Sequence, residues 1–536
     1  CCGTPERPSL APRGGGTVSN IGDGHGEAAT RLTIIILRSR EEDMKERRLL
    51  FYNDARHSYI YYYDPPFRME DAWKPVDEIV GTGADTLVYG FGAGPTMFHN
   101  TNVGERWGDH LETFPLVAGW RAYENLKSLN ERGLDPLKVL IDRAHEKGIE
   151  FFGSLRQSHS ADPADQDDEV GWMFNWQFRI DHPEWCLKGR GKYGFDWTHP
   201  EVRAERFALI EETVNEYDID GFEIDWTFWP HYFEDDEAEE KAHILTEYMS
   251  EVRKTVDAAG SKRGRPIALG ARVLPTREGN MAAGMDVIAW IEQGSLDFVV
   301  PMVYQDRQLD ADLPFEWLVD PAHANGCKVY STLHDQVGSD SDVHANLDHY
   351  RAGAASHRAK GADGVYLPWF KWPHGPEERD LLGKIGDPDL LSNGSKHYVV
   401  RQDFDVSAGQ LYGAQLPAKI AVGDDVSPTT VSFYIADEFD TETRSTLRLT
   451  VYDHTIHDET VVTLNGNDLP ISSAWRTTRG FTHVVLDIPL ESGALNTGRN
   501  SVSISIRSRP GNLGTELPRL DGVEVMVKYP EPQDFL

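Results

Sequence analysis

From residue 47 to 385 short apolar runs alternate with helix-forming stretches, and nothing else in the chain limits its fold so severely. The runs are RLLFYND (48–54), DTLVYGF (85–91), IEFFGSL (149–155), GFEID (221–225), IALGARV (267–273), DFVVPMV (297–303), KVYSTLH (328–334) and GVYLPWF (364–370). Most are rich in β-branched and aromatic residues, and all are short for a helix. Between them lie amphipathic stretches such as DPLKVLIDRAHEKG before the third run and HPEVRAERFALIEETVNEY before the fourth. In the latter, Val202, Phe207, Ile210, Val214 and Tyr217 form an apolar stripe at helical period, and Pro200 stands where a first-turn proline belongs. Such alternation implies parallel strands wrapped by helices. Eight units in about 340 residues predict a (β/α)₈ barrel over residues 44–386. An open, doubly wound sheet lacks support, because neither GxGxxG nor a phosphate-binding loop motif follows a strand.

The pattern changes near residue 385. DPDLLSNGSK (387–396) reads as a linker, and beyond it TVSFYIAD, STLRLTVYD, TVVTLNG, FTHVVLDIPL, NSVSISIRS and VEVMVKY alternate with turn-forming pairs. Residues 397–536 are therefore expected to form an antiparallel β-sandwich of jelly-roll, galactose-binding-like type. At the other end, residues 1–43 are rich in Gly, Pro and Arg without periodicity. Arg-Glu-Glu-Asp before Met44 is encodable by a purine-rich tract like a bacterial ribosome-binding site, so Met44 is read as the true start. That reading places the protein in the cytoplasm. A lipoprotein beginning at Cys1, or a linker after a removed signal, would place it outside, secreted or periplasmic.

Charge narrows the partners. With 53 basic against 87 acidic residues, the formal net charge of −34 repels nucleic acid and anionic membranes. TIIIL at 33–37 is too short to span a bilayer. The four cysteines, Cys1, Cys2, Cys186 and Cys327, make neither a disulfide framework nor a zinc ribbon. The 20 histidines contain no HExxH, so no metal and no cofactor is expected.

On a barrel, chemistry sits at the carboxyl ends of the strands. Side chains of GFEID alternate, which turns Phe222 and Ile224 to the outer helices and Glu223 and Asp225 to the axis. Two inward acids are costly without a cationic partner or a purpose. Like charges at such spacing push their pKa values apart, giving one proton donor and one ionised base or nucleophile. A structural alternative pairs Glu223 with Arg156 or Arg272. Other strand ends contribute Asn53, Asp54 and His57; Arg156, Ser158 and His159; Arg272; Tyr304 and Gln305; His334 and Asp335; and Trp369. Trp226 and Trp229 follow the acids directly, and aromatic faces beside carboxylates suit sugar rings. The expected catalytic groups are Asp225, Glu223 and Asp335, with a carbohydrate substrate held by the remaining mouth residues.

DWTHPEVRAERFALIEETVNEYDIDGFEIDW (196–226) and LDFVVPMVYQ (296–305) resemble the glycoside-hydrolase-like barrel family distantly related to family-ten glycosidases. His199, Pro200, Glu201, Val202 and Arg203 match its motif before strand four, as do Tyr217, Asp218, Asp220, Gly221 and Asp225. Pro301, Val303 and Tyr304 match its motif on strand six. The resemblance implies a barrel that hydrolyses glycosidic bonds, with Asp225 as the leading catalytic group. The chain departs from the pattern at Glu223, where the family carries His, at Trp226 for a second Asp, and at Met302 for Gln. Strand four is also similar to the DGxDxDxE of chitinase-like barrels, but Thr227 stands in place of their acid. A sugar-binding barrel without catalysis and a metal-dependent hydrolase remain alternatives on the residues alone.

Overall fold

The computed structural model describes residues 49–54, 62–304, 307–338, 340–387, 389–390, 394–402, 413–439, 442–514 and 516–529. His57, Gln305 and residues 1–43 lie outside these. Eight parallel strands close into a barrel: β1 Leu49–Asn53, β2 Thr86–Gly90, β3 Glu150–Arg156, β4 Gly221–Asp225, β5 Ala268–Val273, β6 Phe298–Pro301, β7 Lys328–Thr332 and β8 Gly364–Leu367. Around the ring the order is β1-β8-β7-β6-β5-β4-β3-β2. The eight apolar runs of the sequence thus supply the eight staves.

Three outer helices show how the sequence sets their ends. Helix α1 (Pro136–Glu146) starts at Asp135, whose carboxylate accepts the N–H groups of Leu137 and Lys138 at 2.9 and 3.0 Å. Helix α2 (Pro200–Glu216) begins on its proline, and α3 (Ala242–Arg263) ends at Gly264, whose φ of 82° needs no Cβ. The α2 stripe differs from expectation. Val202, Ile210 and Val214 are buried as read, but so are Arg206 and Glu212. Glu212 turns inward because its carboxylate receives the Thr101 hydroxyl and the Asn102 N–H, both at 2.6 Å. No helix among the described residues is long and apolar enough to cross a membrane.

Phe222 and Ile224 join the large core between strands and helices. Inside the barrel, the rings of Phe152, Phe298 and Tyr330 meet at centroid distances of 5.7 Å. Gly270 makes room for that layer, since a Cβ there would fall 2.1 Å from the Phe298 ring. Gly270→Ala should therefore cost about 1–3 kcal/mol by overpacking, read as a lowered Tm. Phe298→Leu in the same chain should recover part of the loss. A Tm unchanged by Gly270→Ala would contradict this packing.

Beyond α4 (Pro376–Ile385) the chain becomes antiparallel. The strands are β9 Lys396–Val399, β10 Ala418–Lys419, β11 Thr429–Ile435, β12 Arg444–Tyr452, β13 Thr460–Leu464, β14 Asn467–Leu469, β15 Trp475–Arg479, β16 His483–Leu490, β17 Gly498–Ile506 and β18 Arg519–Lys528. One sheet runs β9-β18-β12-β16-β15 with β10 also on β18, and the other runs β11-β17-β13-β14. Every second residue is buried along β12 (Leu447, Leu449, Val451) and β17 (Val502, Ile504, Ile506). Two sheets with one buried face each are compatible with the expected sandwich.

Candidate active site

Register places the site's charges before any side chain is considered. β3 pairs Arg156 with Asp225, and β5 pairs Arg272 with the same aspartate. In parallel strands paired residues share a face, so two arginines flank one carboxylate.

The layer below is a buried polar network, in which Glu223 Oε2 and Arg272 Nη1 make no hydrogen bond among the described residues. Glu223 Oε1 accepts from Arg272 Nε at 2.8 Å, from the Ser154 hydroxyl at 2.7 Å and from the Tyr366 hydroxyl at 3.2 Å. Arg272 Nη2 also donates to Ser154 Oγ at 2.8 Å, and its guanidinium lies 4.1 Å from the Tyr52 ring centre. Both Glu223 and Arg272 are wholly enclosed. Burial pushes the Glu223 carboxyl up, against the pull of Arg272. Burial also works against the charge of Arg272, but Asp225 and Glu223 together raise its guanidinium well above the usual range. Here the structure departs from the expectation that Glu223 is a catalytic acid and Arg272 a substrate ligand. Alternation puts Glu223 on the axial face but about 6–7 Å deeper than Asp225, where it serves as the buried partner of an arginine.

Asp225 stands one layer higher. Its Oδ1 accepts the Thr227 N–H and the Thr227 hydroxyl, both at 2.9 Å. Its Oδ2 lies 3.5 Å from Arg272 Nη1 and 3.8 Å from Arg156 Nε, and makes no hydrogen bond among the described residues. Arg156 reaches onward: its Nη2 lies 3.8 Å from Asp54 Oδ2, 3.5 Å from the Tyr52 hydroxyl, and donates to the Tyr304 hydroxyl. The Phe228 ring packs against this guanidinium at 4.2 Å. Met302, Tyr304 and Trp369, with Phe228 beside them, form a small apolar cluster separate from the main core. His159 stacks on Phe228 with ring centres 5.3 Å apart. Arg307 covers Trp369 at 4.1 Å, and Trp369 meets Tyr304 edge-on at 5.5 Å. Asp335 faces His344 Nδ1 at 3.4 Å, and burial raises its carboxyl against the lowering by Arg307 and His344.

The structure thus brings Asp54, Arg156, His159, Asp225, Tyr304 and Trp369 together. Trp229 is half-buried beside His231, and His334 is buried two residues beyond β7. Besides Arg272, two expected substrate ligands stand elsewhere. Trp226 continues the alternation past Asp225 and so points outward, wholly buried among Trp197, Tyr232, Tyr248 and Trp290. Asn53 likewise faces outward and donates to Glu78 at 3.2 Å, which also receives the Trp372 indole at 2.8 Å. Sequence reasoning missed Tyr52, Phe228 and Arg307. Tyr52 was within reach, because it precedes Asp54 by two and shares its face. Phe228 and Arg307 sit in loops, where no period marks direction. Among the described residues no group of three or more His, Cys, Asp or Glu side chains stands close enough to hold a metal ion.

Residues 107–258 match the family model described as Glycosyl hydrolase-like 10. That stretch contains β3, α2 and β4, hence Arg156 and Asp225, and includes the 196–226 segment on which the resemblance was read. Glycosyl hydrolase DigH of Escherichia coli O6:H1 is 23% identical over 237 residues, covering 37% of this chain and 53% of that protein. Glycosyl hydrolase YngK of Bacillus subtilis is 22% identical over 227 residues, covering 36% and 43% respectively. The matches span about half the length of these curated relatives. Among solved structures, alpha-L-fucosidase isoenzyme 2 from Paenibacillus thiaminolyticus aligns with a TM-score of 0.40 and 12% identity, over 64% of this chain and 49% of that one.

Proposed function

We propose that this chain is a glycoside hydrolase that cleaves a bond in an oligo- or polysaccharide at the carboxyl end of its barrel. The observation that carries the reading is Asp225: a carboxylate at the end of β4, held by Thr227, flanked by two arginines and beside an aromatic cluster. A carboxylate facing two guanidinium groups at 3.5 and 3.8 Å is the group we assign as base or nucleophile. Asp335 is the proton donor: burial raises its carboxyl, against the lowering by Arg307 and His344. In the reaction the leaving oxygen takes the Asp335 proton as the glycosidic bond breaks. Asp225 either accepts a proton from the attacking water or bonds to the anomeric carbon itself. Carboxylates about 5.5 Å apart give retention, and about 6.5–9.5 Å inversion. Sugar entry requires side chains around Asp225 to move, since it is fully covered. The two C-terminal sheets serve as a jelly-roll accessory domain.

That full enclosure of Asp225 also favours a second reading, a barrel that binds sugar without cleaving it. A panel of glycans assayed for new reducing ends, with product analysis, separates the two. Binding without release across the panel would support the second.

The proton-donor role has its own test. With Asp335 as acid, kcat/KM should fall as pH rises through its raised pKa, because the proton is then lost before use. Asp335→Asn should lose about 10²- to 10⁴-fold in rate. It should also remove the alkaline limb from the pH profile. An Asp335→Asn enzyme with the wild-type profile would exclude this donor.

A further inference from the structure

Gln308 is almost fully buried, four residues past Tyr304 on the loop that leaves β6. Its side-chain amide makes two bonds to one residue of the C-terminal domain. Nε2 donates to the Gln402 carbonyl at 2.6 Å, and Oε1 accepts the Gln402 N–H at 3.1 Å. Gln402 is anchored in turn. It lies three residues beyond β9 and bridges to Leu416, and nearby Val400 donates to the Val523 carbonyl at 3.0 Å.

On the barrel side the grip is passed along backbone. Leu309 N–H donates to the Gln336 carbonyl at 2.8 Å, and Gln336 N–H donates to the Arg307 carbonyl at 3.1 Å. This short parallel bridge joins the β6 loop to the β7 loop, Gln336 making both bonds and the two flanking Gln308. The immediate neighbours of those two residues are Arg307, which covers Trp369, and Asp335. The hairpin after Asp335 meets the same anchor: a Cβ on Gly338 would stand 3.8 Å from the Gln402 amide nitrogen.

We infer that the C-terminal domain belongs to the catalytic apparatus: through the Gln308–Gln402 clasp it sets the two loops that carry Arg307 and Asp335, and Gln308 is a positioning residue for the proton donor. The inference rests on the reading of Asp335 as that donor. An amide is required because the clasp needs one donor and one acceptor on the same planar group. Glu lacks the donor, and an apolar residue lacks both. Losing the clasp frees the loop and opens Asp335 to water, which relieves the burial that raises its pKa.

The test uses the full chain with Gln308→Met, which keeps volume and loses both bonds, and Gln308→Asn, which keeps the amide but shortens its reach. On a panel glycan that the wild type cleaves, each should lower kcat about tenfold while KM stays within about twofold. The alkaline limb of kcat/KM should move to lower pH. Amide hydrogen exchange over residues 333–345 should quicken, with the barrel helices unchanged. Lys528→Ala removes another contact between barrel and domain, the 2.7 Å bond to Asp348, and should leave all these readouts alone. Wild-type kcat and an unmoved limb in both Gln308 variants would overturn the inference. If Asp335→Asn keeps the wild-type profile, the donor reading fails on its own. Unchanged exchange over 333–345 in the Gln308 variants would then overturn the clasp independently.

Discussion

Asp225→Asn is expected to lower turnover about 10³-fold or more while leaving the barrel folded. Asparagine keeps the shape, and its carbonyl still accepts the Thr227 N–H and hydroxyl. What disappears is the carboxylate facing Arg156 and Arg272, the group proposed as base or nucleophile. Arg272 retains Glu223 as its ion partner, so the cost in stability should be modest. The measurement is product release from a glycan panel beside thermal unfolding and a sugar-binding assay. A fully active Asp225→Asn chain would end the glycosidase reading, whereas a chain that binds sugar and releases nothing supports it.

Arg272→Met should be the most damaging single change to the fold. It removes the cation that neutralises Glu223 in a part of the barrel closed to water. Breaking one partner out of a buried ion pair costs about 3–5 kcal/mol, because the remaining charge is left uncompensated. For a barrel of this size that corresponds to a Tm lower by on the order of 10 °C. Glu223→Gln in the same chain should restore much of the loss, since a neutral amide oxygen can still accept from Ser154 and Tyr366. A Tm that stays at the wild-type value in Arg272→Met would show that the pair carries no such weight. No rescue by Glu223→Gln would show that Arg272 acts through Asp225 instead.

The alternation of GFEID illustrates what sequence can and cannot give. Period two puts Glu223 and Asp225 on the axial face, and the structure agrees. The same period does not encode depth along the strand, so two acids equivalent in pattern become a buried ion partner and a candidate catalytic group. Carried one residue further, it turns Trp226 outward, and on β1 it turns Asn53 outward as well. That rule keeps both residues out of the mouth although they stand at strand ends. Phe228, Arg307 and Gln308 were illegible for a different reason. Their direction is fixed by partners more than 60 residues away in the chain, such as Arg156 for Phe228 and Gln402 for Gln308.

The buried layer of Ser154, Glu223, Arg272 and Tyr366 also divides how the protein responds to ionic strength. Counterions screen exposed charges within about 10 Å at 0.1 M salt, and they cannot enter a layer from which water is excluded. The chain, with its formal net charge of −34, will therefore feel added salt strongly in its encounters with charged solutes. The electric field that Arg272 and Glu223 impose beneath Asp225 will not. Salt thus acts on arrival at the barrel and leaves the field at its floor in place.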